Sequence, residues 1–282
     1  MPSGYHRVES LMLPLAKPYD TLGIGMSAEP ETSQDIVKTA FFTACEQKLP
    51  IPDIDPKHNT LTRAAAWHAD QTGFNPYLDI QIYKGIPHGA GLGGGSSNAA
   101  ALLLWLRETA EMAGVHVPDF AHFVESAAVI GADVPFFLKA PFLQGEAALA
   151  EGIGEKLRPA ANPYAGYILL LACPGAAIST AWAFAALARE RGEKNRSGGL
   201  TSEEGRDKST LRNDFEAIVF AAYPELGRLY DWLLQSGAVA ARMSGTGSSL
   251  FGLYREGKTA VKAAKILAKD GVRVYIQRLP EH

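Results

Sequence analysis

Only two cysteines, Cys45 and Cys173, occur in the 282 residues, and they lie far apart with no metal-ligand spacing. A disulfide framework and a zinc site are disfavoured; both thiols read as small buried hydrophobes in a reducing compartment. Basic runs are missing too. The formal net charge is −3, and nothing recommends a nucleic-acid partner. The longest unbroken apolar run, Ala99 to Leu106, is too short to cross a bilayer. The start, Met1-Pro2-Ser3-Gly4-Tyr5-His6, has neither the basic nor the apolar region of a signal peptide. These absences lead to the expectation of a cytoplasmic protein with no membrane contact. No internal repeat is visible.

Glycine, by contrast, is locally dense. Five glycines fall within seven positions in Pro87-His88-Gly89-Ala90-Gly91-Leu92-Gly93-Gly94-Gly95-Ser96-Ser97-Asn98. A helical run, Ala99-Ala100-Ala101-Leu102-Leu103-Leu104-Trp105-Leu106, follows at once. Glycine costs backbone entropy, so such a cluster suits a chain that curls tightly or approaches something closely. A curled backbone aims N–H groups inward, and the helix start adds free N–H groups and a positive dipole end. Phosphate is the expected guest; a flexible turn before a buried helix is the plainer alternative. A Walker loop would need Lys and Ser or Thr after its last glycine, and Gly95 is followed by Ser96-Ser97. Gly89-x-Gly91-x-x-Gly94 matches the dinucleotide fingerprint weakly. The preceding segment from Leu78 to Lys84 alternates like a half-exposed antiparallel strand, and no strand ending in an acid follows about 20 residues on.

Nearly half the residues are apolar, enough for one large core or two ordinary ones. Short strands are expected over Val8–Leu15 and Thr21–Met26, flanking the turn Lys17-Pro18-Tyr19-Asp20. A helix is expected from Asn59 to Gly73. The helix after the glycines places Ala99, Leu102, Leu103, Leu106 and Ala110 on one stripe and stops near Gly114. Another is expected to open at Pro118 and end at Gly131. Later come a strand over Tyr167–Cys173, a helix over Thr180–Arg191 and a polar loop over 192–210. Helices near Asn213–Ala222 and Glu225–Ser236 follow, then paired strands Val239–Met243 and Leu250–Tyr254. A helix over Lys258–Asp270 and a strand over Val272–Gln277 complete the chain. Periodicity indicates an α+β protein, and two domains with a boundary near 155–162 are the best division.

The glycine segment resembles the Pro-x-x-x-Gly-Leu-Gly-Ser-Ser-Ala loop of the small-molecule kinases typified by galactokinase, homoserine kinase, mevalonate kinase and phosphomevalonate kinase, the GHMP family. Its three-glycine form resembles the member whose substrate carries a cytidine diphosphate group. Gly4-Tyr5-His6, Gly131-Ala132-Asp133-Val134-Pro135-Phe136-Phe137 and Ser244-Gly245-Thr246-Gly247 resemble further motifs of that member, in the expected order. The resemblance implies an N-terminal ATP-binding domain (1–157) like ribosomal protein S5 domain 2. It implies a C-terminal ferredoxin-like domain (158–282), with the active site between the two. It further implies an ATP- and Mg²⁺-dependent kinase acting on a hydroxyl of that small molecule, as a monomer or homodimer.

Each candidate residue has two readings. Asp133 stands before a Pro-containing apolar segment, where a helix cap is the ordinary role; the resemblance makes it the catalytic aspartate, accepting or orienting the proton of the substrate hydroxyl. Ser96 and Ser97 are helix caps or phosphate ligands, and the resemblance puts Ser97 toward Mg²⁺. Pro87 to Ser97 would cradle the nucleotide phosphates. Asn59 is an ordinary cap, and Lys84 a solvated strand-end charge, unless both lie near the adenine as the resemblance implies. Tyr5, His6 and Phe184 read as core aromatics; the resemblance implies instead that Tyr5 and Phe184 sandwich the cytosine, where stacking contributes about 1–3 kcal/mol per base, and that His6 hydrogen-bonds its edge. Thr180, Gly245 and Thr246 are further substrate candidates, though Gly245-Thr246-Gly247 equally suits a hairpin turn. Asn213-Asp214 resembles a family Asn-Asp pair.

One family feature has no counterpart. A Lys-x-Asn-Leu strand precedes Gly-Tyr-His in the resembled member, its lysine neighbouring the catalytic aspartate; Lys17 lies too far past the motif to replace it. The chain as written is therefore expected to bind nucleotide and turn over poorly. The rival readings are a homoserine- or mevalonate-type kinase and a catalytically impaired nucleotide-binding relative.

Overall fold

A computed structural model describes residues 9–27, 37–43, 59–143, 146–152, 154–196 and 212–281. Tyr5, His6 and Cys45 lie outside the described residues. The chain forms two compact units. One comprises the residues up to Ile86 together with Gly93–Pro163; the other comprises Pro87–Leu92 and the residues from Tyr164 on.

The first unit contains β1 (Ser10–Met12), β2 (Thr21–Ser27), β3 (Val37–Thr43), α1 (Thr60–Thr72) and β4 (Tyr77–Lys84). It continues with α2 (Gly94–Met112), α3 (Phe120–Ser126), α4 (Val134–Lys139), β5 (Ala147–Glu151) and β6 (Lys156–Ala160). β4 is the middle strand of one sheet, antiparallel to β2 and parallel to β3. A second sheet has the order β1-β5-β6. Alternation along β4 buries Leu78, Ile80, Ile82 and Lys84 and turns Asp79, Gln81 and Tyr83 outward, as a strand with one covered face must. The buried face packs with Leu61 and Ala64 of α1 and Leu102, Leu103 and Leu106 of α2 into one core. α1 has the expected ends: the Asn59 side chain accepts from Leu61 N at 3.0 Å, and Gly73 takes the left-handed C-cap at φ 74°.

The second unit contains β7 (Ile168–Cys173), α5 (Thr180–Arg196), α6 (Glu216–Ala222) and α7 (Pro224–Gln235). Then come β8 (Ala240–Met243), β9 (Leu250–Tyr254), α8 (Gly257–Lys269) and β10 (Arg273–Arg278). The antiparallel sheet has the order β10-β7-β9-β8. With α7 and α8 as the main crossovers, this is the split β-α-β arrangement of a ferredoxin-like domain. β7 lies inside the sheet and is buried at all six positions, which its unbroken apolar run requires.

Several details depart from the sequence-based expectation. β3 is additional: Val-Lys-Thr-Ala-Phe-Phe-Thr has no clean alternation to mark it. α3 starts at Phe120, not Pro118, because the Asp119 side chain caps it through Ala121 N and His122 N. α5 continues through Arg196, where a polar loop was expected from Gly192. β6 runs across 157/158 and pairs along its length with β5, and the compact units divide at 163/164. As expected, Cys173 is buried; it is free, and its thiol accepts from Ser249 Oγ at 3.4 Å.

Candidate active site

The glycine segment divides between the two units. In the first unit, Gly93 is the N-cap of α2 at φ 66°, and it offers no side-chain hydrogen bond. α2 also has no acidic residue in its first turn. α1 and α3, by contrast, spend an Asn and an Asp on their starts. The opening N–H groups of α2, on Gly94, Gly95 and Ser96, precede the first intrahelical bond, Ser97 N to Gly93 O at 2.8 Å. They form an uncapped, electropositive helix start. Ser97 donates its hydroxyl proton to Gly94 O at 2.9 Å, which leaves the oxygen's lone pairs available to a cation. Thr60 Oγ1 donates to Gly95 O at 3.0 Å and ties the start of α1 to the same turn.

Asp133 borders this helix start. It occupies the N-cap position of α4 in helical conformation, φ −87°, yet its side chain makes no capping hydrogen bond. The carboxyl group faces Gly93 instead: a Cβ on Gly93 would lie 3.7 Å from Asp133 Oδ2. The same Cβ would fall 2.6 and 2.9 Å from Cε2 and Cζ of Phe137. Both the backbone angle and the Phe137 ring therefore require glycine at 93. Burial pushes the Asp133 carboxyl above the usual carboxylate range. The side chain is thus left out of the capping that its position invites.

Asn59 caps α1 and donates from Nδ2 to Thr39 Oγ1 at 3.3 Å. Lys84 is not a solvated charge. Its position in the β4 alternation faces the core, and its ammonium meets Asp20 Oδ2 at 2.5 Å in a buried pair. Among the described residues no cluster of three or more His, Cys, Asp or Glu could hold a metal ion.

In the second unit, Pro87–Leu92 packs backbone against backbone on the β8–β9 turn. Ser249 N donates to Ala90 O at 3.1 Å, Ser244 Oγ to Gly91 O at 2.8 Å, and Ile178 N to Gly89 O at 3.3 Å. A Cβ on Gly91 would stand 2.2 Å from Ser244 O. Gly245-Thr246-Gly247 is thus a hairpin turn whose chief contact is the glycine segment. Asn213 fixes it from below: Nδ2 donates to Met243 O at 2.8 Å and Gly245 O at 2.7 Å. Thr246 is buried, with Oγ1 3.4 Å from Thr180 Oγ1. Phe184 is half-buried on α5, edge-on to Phe215 with ring centroids 4.9 Å apart. Tyr5 and His6 lie outside the described residues. Asp20, Ser244 and the tether made by Asn213 were not assigned from the sequence; only the motif around Ser244 and the core-facing parity of Lys84 hinted at them.

The GHMP kinases N terminal domain family matches residues 59–140, and the GHMP kinases C terminal family matches residues 199–273. The 4-diphosphocytidyl-2-C-methyl-D-erythritol kinase of Nitratidesulfovibrio vulgaris strain Hildenborough is 43% identical, with 96% of this chain and 90% of that protein covered. The protein of the same name from Solidesulfovibrio magneticus is 39% identical over 99% and 90%. A crystal structure of 4-(cytidine 5'-diphospho)-2C-methyl-D-erythritol kinase superposes with a TM-score of 0.67 at 27% identity, covering all of this chain and 93% of that one. The mevalonate kinase of Methanococcus jannaschii, at 14% identity, TM-score 0.57 and full coverage of both chains, shares the fold.

Proposed function

We infer that this chain, which belongs to the 4-diphosphocytidyl-2-C-methyl-D-erythritol kinase family of the GHMP kinases, transfers the γ-phosphoryl group of ATP to the 2-hydroxyl of 4-diphosphocytidyl-2-C-methyl-D-erythritol. The relatives that share its length carry that name at 39–43% identity. The observation that supports the chemistry is the Asp133 carboxyl beside Gly93, at an uncapped helix start. Phosphoryl transfer passes through a loose transition state, so positioning and charge stabilisation outweigh covalent help. The N–H groups of Gly94, Gly95 and Ser96 would hold phosphate oxygens. Asp133 would accept the proton from the substrate hydroxyl, and its raised pKa makes it a better base than an exposed carboxylate.

The donor set suits a Mg²⁺ carried in largely by the nucleotide. Ser97 would contribute its hydroxyl oxygen, with phosphate and water completing the sphere. The ion would neutralise charge on the transferring group. Asn59 and Lys84 would lie toward the adenine, the ammonium retaining donors beyond the one given to Asp20. Phe184, with Tyr5 and His6, would hold the cytosine; Thr180, Gly245 and Thr246 would line the same substrate.

A substrate panel tests this reading. ADP release is measured with the cytidine diphosphate substrate, homoserine and mevalonate, each with ATP and Mg²⁺. Turnover confined to the first is expected. A higher kcat/KM for homoserine or mevalonate refutes the assignment.

A further inference from the structure

Asp20 has no role in the site described so far, yet its carboxylate is among the most heavily bonded groups in the first unit. Its side chain is 1% exposed. Oδ1 accepts two consecutive backbone N–H groups, from Gly85 and Ile86, each at 2.8 Å. Oδ2 accepts from Lys84 Nζ at 2.5 Å and from Asn98 Nδ2 at 2.8 Å. Four donors on one buried carboxylate satisfy it fully, the condition under which a buried charge is tolerated.

The donors come from two places that matter. Lys84, Gly85 and Ile86 are the end of β4 and the lead into the glycine segment; Asn98 belongs to the second turn of α2. One carboxylate thus holds both the residue entering the segment and the helix leaving it. Two contacts fit the same purpose. A Cβ on Gly85 would stand 2.1 Å from Tyr19 O, so glycine there admits the turn that carries Asp20. A Cβ on Gly94 would stand 3.1 Å from Ile86 Cγ2, so the helix start rests on that residue.

We propose that Asp20 is a positioning residue for ATP: it sets the place of the α2 N-terminus, which would hold phosphate, and of Lys84, which would lie toward the adenine, and through both the affinity for ATP. This rests on the kinase reading given above. Asp20→Asn keeps the shape, and its carbonyl can still accept Gly85 and Ile86. Its amide can only donate, so Lys84 and Asn98 lose their acceptor. Asn98→Ala removes one donor and leaves the ion pair intact.

The test combines ATP·Mg²⁺ binding by calorimetry, steady-state KM for each substrate, and hydrogen exchange at the amides of Gly94 to Ser97, well below the melting temperature. For Asp20→Asn the expected results are an ATP Kd and KM raised about tenfold or more, the loss of a charged hydrogen bond. The KM for the cytidine substrate should change less than twofold, and exchange at Gly94–Ser97 should speed up. Asn98→Ala should show the same pattern more weakly, and it decides the matter if Asp20→Asn does not fold. A lowered melting temperature with unchanged ATP affinity and exchange per folded molecule overturns the proposal, as does an equal rise in both KM values. If the unmutated chain binds ATP but does not phosphorylate the cytidine substrate, the function assignment fails, while calorimetry and exchange still judge Asp20.

Discussion

Gly93→Ala is a sharp perturbation of the site, because a matched control separates its two effects. The residue sits at φ 66°, where any Cβ is strained by about 1–2 kcal/mol. Its Cβ would also enter the Phe137 ring at 2.6–2.9 Å, and the ring is edge-packed on Phe136 at 5.2 Å. Overpacking of that kind costs about 1–3 kcal/mol. Gly73 has nearly the same backbone, φ 74°, with nothing within 4 Å of its Cβ, so Gly73→Ala carries the backbone term alone. For a domain of 150–250 residues, 1 kcal/mol shifts the melting temperature by roughly 2–4 °C. Gly73→Ala should therefore lower it by about 2–8 °C and Gly93→Ala by about 4–20 °C. The kinetic contrast should be larger. Relief of the clash moves Phe137 or the helix start against the Asp133 carboxyl, and a displacement near 1 Å can cost about 100-fold in rate. The assay is thermal melting with kcat and ATP KM, normalised to folded protein. Equal rates for the two variants, or unchanged ATP KM and kcat in Gly93→Ala, would refute the idea that Gly93 keeps the base and the helix start in register.

Asp133→Asn should lower kcat by about 10²–10⁴-fold, as loss of a general base does. Its folded pKa lies above the unfolded value, so ionisation costs the wild type stability as pH rises through that interval. Melting at pH 7.5 should accordingly show the variant at least as stable as the wild type; an earlier melt with normal rate per folded molecule would make Asp133 structural. His68 is a separate acid-sensitive point. Burial, the larger cause, and the Arg107 charge outweigh a backbone hydrogen bond and lower its pKa to about 4. The unfolded chain takes up that proton first, so stability should fall by about 3 kcal/mol between pH 6.5 and 4. Denaturant titrations across that range should lose this acid limb in His68→Leu, and an unchanged limb would remove His68 as its cause.

Local chemistry was readable directly. The glycine cluster marked a backbone that curls before a helix, because glycine and the abrupt change of period are local signals; that the helix starts at Gly94 with no side-chain cap, rather than with Ser96 or Ser97 as caps, was not marked. Asn59 and Gly73 bracketed α1 for the same reason. Asp133 was ambiguous, since an Asp before a Pro-containing helix caps as readily as it catalyses; that it makes no cap bond and lies beside Gly93 could not be read from the sequence. Lys84 carried half its answer in the β4 alternation, which put a cation on the core face. The other half, Asp20, lay 64 residues earlier in a segment that reads as an ordinary turn. Gly91 likewise needs glycine because of Ser244 and Gly247, more than 150 residues on. Caps, turns and periods are interactions within a few residues, so the chain's order reveals them. A buried carboxylate's partners and a backbone's close approach belong to segments that meet only on folding, and those the tertiary structure alone decided.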